Sequence, residues 1–592
     1  MKETADAEFL SHTVPAMTTT GIHPLSWLEH PRTDTAVEFF DAGASVRAPY
    51  PGLAERALAI AGGLIADGVA AGSVVPLLCR SGPDLIAGFY GIQAAGCAVS
   101  VLPPPTRMSG DANRERIRQV IDALDARVLV LDNDHESYAR EVVTEEPGFA
   151  SSRHVRLLVT DALASAGPGR RDVPDLALVQ FTSGSSGRPR GVRVSHDALA
   201  ANVAAIRAWE RATESDAWCS WLPMHHDMGL IGCMVVPVSG GNNDLAVCTP
   251  ETFIRHPMAY LRRFARGGAT ITATPAFGLQ RIVDRVAPEQ LDGLDFADWR
   301  TLIVGAERID PALVESFTGL MAGHGLEPSA LTPAYGLAES TLAVTGVPVD
   351  QSASSVRIRR GELAVGAVVR TDVDGLDEHG IVDVISCGRP LAGLDVWLAG
   401  PEGEPVPEGH LGEVVVTGTS LADGYLEGSA AGTSFCDGRL YTRDVAFERG
   451  GELFVLGRLG DSLKVNARFV FAEDVEMMLG RAGLDLNRTC VVLGELGSRA
   501  HAYAVLEDLG AECAELADRV LTTTCPGVER HVVPVPRGTI PRTSSGKSRR
   551  RELWLTLSHR NAMTATRQEK ADALSARGGP RDSARDHPAT RT

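Results

Sequence analysis

At about 150 residues per domain, a chain of 592 residues is too long for one ordinary core and implies several units or a large composite domain. Hydrophobic residues at 44% and charged residues at 22% give the composition of a soluble globular protein, and a formal net charge of −18 argues against nucleic acid as a main partner, because phosphate backbones need a basic surface. Ten cysteines without a C-x-x-C pair indicate neither a zinc ribbon nor a disulfide framework. The N-terminus lacks an apolar leader and no run approaches about 18 apolar residues, so the expectation is no signal peptide, no membrane span and a cytoplasmic location.

From Tyr50 to Val101 a helical pattern, LAERALAIAGGLIADGVA, alternates with the strand-like VVPLLC, a second helix near FYGIQAAGCA and a short strand in VSVLPP. This is the βα rhythm of a parallel sheet. A further unit runs through Ile117 to Val143 with ARVLVLDN as its strand, and a loop from Ala164 to Asp175 leads into the apolar run Leu176 to Phe181. That run reads as a buried strand breaking into TSGSSGRPRG, a loop whose glycines admit an anion to backbone N–H groups. Its hydroxyls on Thr182, Ser183, Ser185 and Ser186 can donate to phosphate oxygens. It is not a Walker A loop: the chain's Gly546-Lys547-Ser548 triplet has Pro541 where the earlier glycine is required. Nor does the glycine spacing around Ser185 and Ser186 give a nucleophile elbow.

His196 to Arg211 reads as a helix, followed by WCSWLPMHHDMGLIGCMVVPVSGG. His225, His226 and Asp227 are adjacent and point in different directions, so they read as a turn rather than a metal site. Met228 to Val238 is mostly apolar with Gly229 and Gly232, which suits either a backbone lining an apolar pocket or plain core. TLIVG at Thr301 to Gly305 is a buried strand, and Leu331 to Leu342 reads as a strand or loop turning into a helix that carries Glu339. A carboxylate there suits either Mg²⁺ beside triphosphate oxygens or the charge complement of a helix start. After a polar stretch to Asp383, Leu394 to Gly418 and Leu440 to Arg458 read as β-rich with hairpins, one turning at Gly450-Gly451. A last α/β segment ends near Arg550, and a tail poor in large apolar side chains reads as disordered.

Five separated motifs together resemble the adenylate-forming superfamily of acyl and aryl ligases, over roughly Trp27 to Leu555. These are FTSGSSGRPRG, YGLAEST, YTRDVAF, GRLGDSLKVNARF and PRTSSGKSRR. The wording of WLPMHHDMGLIG and YGLAESTLAV, with the polar segment between Val344 and Cys387, is similar to that of fatty acyl-AMP ligases. In that group an insertion at this place is associated with restricting the cap domain or disfavouring coenzyme A.

The resemblance implies an α/β fold: a large N-terminal α/β domain with a β-rich subdomain over 1–460, a small mobile C-terminal α/β cap over 461–560 and a disordered tail over 561–592. It implies ATP-dependent, Mg²⁺-dependent activation of an apolar carboxylic acid to acyl-AMP, then transfer to an acyl carrier protein, with free coenzyme A as the alternative acceptor. A catalytically silent nucleotide-binding protein is the rival from another class. By motif, Thr182, Ser183, Gly184, Ser185, Ser186 and Gly187 hold phosphates. Gly305, Ala306, Tyr335 and Gly336 border the adenine, Asp444 and Arg458 take the ribose, and Glu339 binds the metal. His226, Met228, Gly229 and Phe277 line the acyl site, Asp461 is the hinge, and Lys547 meets the substrate carboxylate and α-phosphate. Four positions depart from the pattern: Arg190 for a lysine, Arg443 for a glycine before Asp444, Gly460 for a lysine or aspartate, and Ala467 for a glycine in the hinge turn. If Ala467 stands where a backbone must reach φ > 0, it impedes thioester formation and leaves adenylation intact.

Overall fold

The computed structural model describes residues 23–105, 110–144, 155–183, 189–377, 380–426, 433–465, 468–496, 499–542 and 547–558. The chain divides into two units, one from the described residues of Met1–Thr182, Pro189–Arg357 and Asp383–Val455, the other including those of Ile358–Val382 and Leu456–Thr592. The middle of the polar segment thus belongs with the C-terminal unit.

The βα rhythm of the first unit produces two largely parallel sheets. The six-stranded sheet runs Arg156–Val159, Val128–Leu131, Val74–Leu78, Ala98–Val101, Leu176–Ser183, Pro189–Ser195. The nine-stranded sheet runs Arg389–Pro390, Ala343–Gly346, Leu331–Gly336, Thr301–Gly305, Ile271–Pro275, Ala217–Ser220, Asp244–Val247, Ala36–Phe40, Ser45–Pro49. The pairs from Leu331–Gly336 across to Ala36–Phe40 are parallel, and those beyond either of these strands are antiparallel. These strands are apolar on successive residues because both faces are covered. Leu77 and Leu78 enter different apolar clusters, as do Trp218 and Cys219, each pair straddling its sheet. One cluster threads the helices Tyr50–Ala66, Pro83–Ala94 and His196–Glu210 and reaches strands of both sheets.

A third, antiparallel sheet contains Leu394–Ala399, Gly412–Gly418, Ser434–Cys436, Arg439–Arg449 and Glu452–Arg458, the last two joined at Gly450-Gly451. The second unit pairs Thr489–Leu496 antiparallel and Glu529–Val535 parallel to Arg499–Glu507, packed by the helices Ala472–Arg481 and Ala511–Thr524.

Two local expectations are corrected. Pro189–Ser195 is a strand, so Pro189 to Gly191 are not loop and the helix His196–Glu210 follows a strand directly. Leu331–Leu342 does not turn into an α-helix. The strand Leu331–Gly336 leads to a single 3-10 turn, Ala338–Ser340; Thr341 at φ 66° then reverses the chain into Ala343–Gly346, which pairs back antiparallel. A helix cannot propagate through a left-handed residue. Every cysteine is free, and most are buried. No helix among the described residues is long and apolar enough to cross a membrane. The tail at 561–592 and Ala467 lie outside the described residues.

Candidate functional site

Thr301–Gly305 and Leu331–Gly336 are neighbouring parallel strands, in register from Leu302 with Leu331 to Val304 with Pro333. Their carboxyl ends, where ligands of open α/β sheets bind, bring Gly305 and Ala306 beside Tyr335 and Gly336. Ala306 is exposed at φ 68°, and Tyr335 is half-buried. A Cβ on Gly336 would lie 2.0 Å from the Leu342 carbonyl oxygen, so only glycine lets the returning strand approach this closely.

The Tyr335 hydroxyl donates to Asp444 Oδ2 at 2.6 Å. Asp444 is buried on the strand Arg439–Arg449, and it is aimed by an irregularity in that strand. Glu413 pairs with Val445 and Val415 with Tyr441, so Thr442, Arg443 and Asp444 all stand opposite Val414. Such bulges re-aim side chains. Arg443 carries the strain at φ 64°, which accounts for a glycine being usual there. Its N–H donates to Glu413 Oε1 at 2.9 Å, and the Asp444 N–H donates to Thr442 Oγ1 at 3.1 Å.

Glu339 is buried in the turn after Gly336. Tyr425 donates its hydroxyl to Glu339 Oε1 at 2.6 Å, and the Ala422 N–H donates to the Glu339 carbonyl at 3.0 Å. Burial and the adjacent Glu339 push the Tyr425 phenol well up, so it remains a donor. Tyr425 bridges to Val192, and the Arg190 guanidinium lies over its ring at 3.5 Å. The strand leaving the Ser/Gly loop is thereby tied through Tyr425 to Glu339. Arginine in place of lysine has a structural meaning here, because a planar guanidinium stacks on an aromatic face better than a compact ammonium does. Tyr425 carried no signal in the sequence, where it is a lone tyrosine in an aperiodic loop.

Thr182 is half-buried near the end of Leu176–Ser183. Gly184, Ser185, Ser186 and Gly187, and the Ser183 side chain, lie outside what is described.

Met228–Val235 is a π-helix, a form found often at functional sites, with Asp227 Oδ1 accepting from the Met228 N–H at 2.8 Å. A Cβ on Gly229 would meet the Pro223 carbonyl oxygen at 2.3 Å, so the glycine is required for packing. Met228 and Phe277 pack against the same apolar cluster, where Trp221 stacks on Phe253 at 4.3 Å and meets Phe277 edge-on at 6.3 Å. The His225 and His226 rings are 4.8 Å apart in a turn. Burial, with His226 and Arg116, holds His225 well below its ordinary value, so the turn carries a neutral imidazole there.

In the second unit Lys547 is exposed, next to Ser548, which bridges to Arg542. The following helical residue, Arg550, is anchored by Glu476 at 2.6 Å, Glu473 at 2.8 Å and Asp461 at 3.5 Å. The residue expected at the hinge and the segment carrying Lys547 therefore share one guanidinium. Arg458 is exposed at the end of Glu452–Arg458. A side chain at Gly460 would meet no atom within 4 Å, so packing does not demand that glycine.

The family model described as AMP-binding enzyme matches residues 26–426. Among curated relatives, a putative acyl-CoA synthetase of Caulobacter vibrioides is 29% identical over 84% of this chain and 88% of its own. The medium-chain-fatty-acid–[acyl-carrier-protein] ligase JamA of Moorena producens is 27% identical over 80% and 84%. The long-chain-fatty-acid–AMP ligase FadD32 of Mycolicibacterium smegmatis is 27% identical over 81% and 84%. Among solved structures, a fatty acid AMP ligase from Legionella pneumophila is 25% identical with a TM-score of 0.67, covering 91% of this chain and 95% of its own. A fatty acyl-adenylate ligase from the study of the Escherichia coli and Legionella pneumophila enzymes, at 23% identity and a TM-score of 0.82 over 92% and 98%, shares the fold. This chain belongs to the AMP-binding enzymes, the adenylate-forming ligases, and its relatives include fatty acyl-AMP ligases.

Proposed function

We propose that this chain activates a fatty-acid-like carboxylic acid with ATP to give acyl-AMP and pyrophosphate, and then passes the acyl group to the phosphopantetheine thiol of a carrier protein. The observation that carries the reading is the pair of buried carboxylates Asp444 and Glu339, each taking a 2.6 Å hydrogen bond from a tyrosine. The names of JamA and FadD32 support the fatty acid, and that of JamA supports the carrier protein.

In the first step a carboxylate oxygen attacks the α-phosphorus in line, the bond to the bridging oxygen breaks and pyrophosphate leaves. In the second, the thiol sulfur attacks the acyl carbonyl, its proton goes to solvent and AMP leaves. Asp444 accepts from the ribose hydroxyls as a two-oxygen acceptor. Tyr335, Gly305, Ala306 and Gly336 border the base, and Arg458 assists at the ribose. Thr182, with Ser183 to Gly187, holds the β- and γ-phosphates. Glu339 fits Mg²⁺, a hard ion that takes one or two carboxylates and completes its shell with water and phosphate oxygens. That ion supplies charge neutralisation when bound. Tyr425 fixes the orientation of the Glu339 carboxylate. Lys547 places a point charge against the two anions brought together in the transition state. Asp461 is the pivot about which the small domain turns between the two steps. His226, Met228, Gly229 and Phe277 border the acyl chain.

Carboxylate-dependent exchange of labelled pyrophosphate into ATP, run over acids of increasing chain length, tests the first step. No exchange with any acid would leave a silent nucleotide-binding protein. Thioester formation with a carrier protein against free coenzyme A tests the second, and equal turnover of both would replace this reading by a coenzyme A ligase.

A further inference from the structure

In the sheet of the second unit, His501 on Arg499–Glu507 is the register partner of Glu529 on the parallel strand Glu529–Val535, and Tyr503 is the partner of His531. Residues two apart on a strand share a face, so Glu529 and His531 point the same way. His501 Nδ1 and His531 Nε2 are 3.0 Å apart with rings stacked 5.3 Å between centroids, and His501 Nδ1 lies 3.9 Å from Glu529 Oε2. The three ligating atoms all fall within 4.8 Å of one another. Tyr503 backs the His531 ring at 4.5 Å and is itself braced by Trp554.

We propose that His501, Glu529 and His531 form a binding site for a divalent transition ion of the Zn²⁺ class. Two imidazole nitrogens bound to one tetrahedral Zn²⁺ at about 2.0–2.1 Å stand roughly 3.3 Å apart, so the observed pair needs only a small separation. Two nitrogens and one carboxylate leave a fourth position for water. His501 is buried while the Glu529 side chain is 45% exposed, which gives the ion a route from solvent. Arg499, 3.6 Å from Glu529 and 77% exposed, is the cation that an incoming ion displaces. The site uses none of the residues assigned above to acyl activation, so it stands or falls independently of that reading.

The test uses the whole chain, stripped with a chelator and titrated with Zn²⁺ in competition with a chromophoric chelator. The expected result is one equivalent in the unaltered chain, weakened more than about tenfold by His531→Ala and by Glu529→Ala. Co²⁺ should give the visible absorption of a four-coordinate site in the unaltered chain and lose it in both variants. Zn²⁺ should raise the melting temperature of the unaltered chain alone. Glu529 is a surface residue, so Glu529→Ala decides the matter even if His531→Ala unfolds. No stoichiometric binding, or unchanged Zn²⁺ affinity and Co²⁺ absorption in the folded variants, would overturn the proposal.

Discussion

Carboxylates turned away from solvent occur in both units of this protein, buried in the first and partly buried in the second, and their company differs. In the first unit Asp444 and Glu339 each receive a hydrogen bond from a tyrosine hydroxyl. In the second, Asp461, Glu473 and Glu476 converge on the guanidinium of Arg550. A phenol satisfies one lone pair and leaves the negative charge to act on an incoming ligand, whereas a guanidinium neutralises the charge it binds. Burial pushes Glu473 up to about 7 although Arg550 opposes it, as expected where three acids share one cation. The first arrangement suits a binding site, and the second ties the helix Ala472–Arg481 and the turn Leu459–Asp461 to Arg550.

The largest effect should come from breaking the second arrangement. Arg550→Ala strands three acids and should cost about 3–5 kcal/mol of stability in denaturant titration, with Arg550→Lys recovering part of it. An unchanged midpoint would mean that the cluster holds nothing. Neutralising the first arrangement by Glu339→Gln should leave folding intact and lower pyrophosphate exchange by about a hundredfold. Exchange at the unaltered rate would remove Glu339 from the metal site.

A third kind of acid sharpens the contrast. Glu210 is 1% exposed, its Oε2 has no hydrogen-bond partner among the described residues, and burial pushes it up to about 8 although Arg207 and Arg300 pull the other way. Its proton is kept in the folded chain and lost in the unfolded one between the ordinary glutamate value and about 8, so stability should fall as pH rises through that window. Glu210→Gln should flatten the fall, measured as urea midpoints from about pH 5 to about pH 8. The smallest effect is expected for Tyr425→Phe, which removes one hydrogen bond to a charged group. About a tenfold higher Mg²⁺–ATP requirement should result, near 1.4 kcal/mol, with the maximal rate less affected. Identical Mg²⁺ titrations would show that Tyr425 does not position Glu339.

Four of the strands from Val74 to Phe181, all but Arg156–Val159, and the hairpin at Gly450-Gly451 were legible because apolar runs and turn residues act locally. The strand Pro189–Ser195 was missed since its polar and arginine-containing start resembles the loop before it, and only pairing with Leu176–Ser183 makes it a strand. The helix expected after Leu331 was lost to Thr341, whose left-handed backbone is stabilised by its hydroxyl donating to the Ser420 carbonyl at 2.7 Å, a contact remote in sequence. Of the candidate site, Asp444, Glu339 and Tyr335 stand in motifs that the sequence shows. Tyr425 and the stacking of Arg190 were not legible there, because neither follows a period or a spacing.

By itself the sequence determined which chemical groups are present and in what order: a Ser/Gly loop after an apolar strand, a glycine-flanked glutamate, a β-rich aspartate and a late lysine. Those follow from side-chain chemistry and short-range periodicity. Tertiary structure alone decided which group answers which. It aimed Asp444 through a bulge at Arg443, gave Glu339 a phenol from a loop 86 residues away, and set His501 beside His531 across a parallel strand pair. Hydrogen bonds between residues distant in the chain depend on strand register and burial, and neither is written in any local pattern.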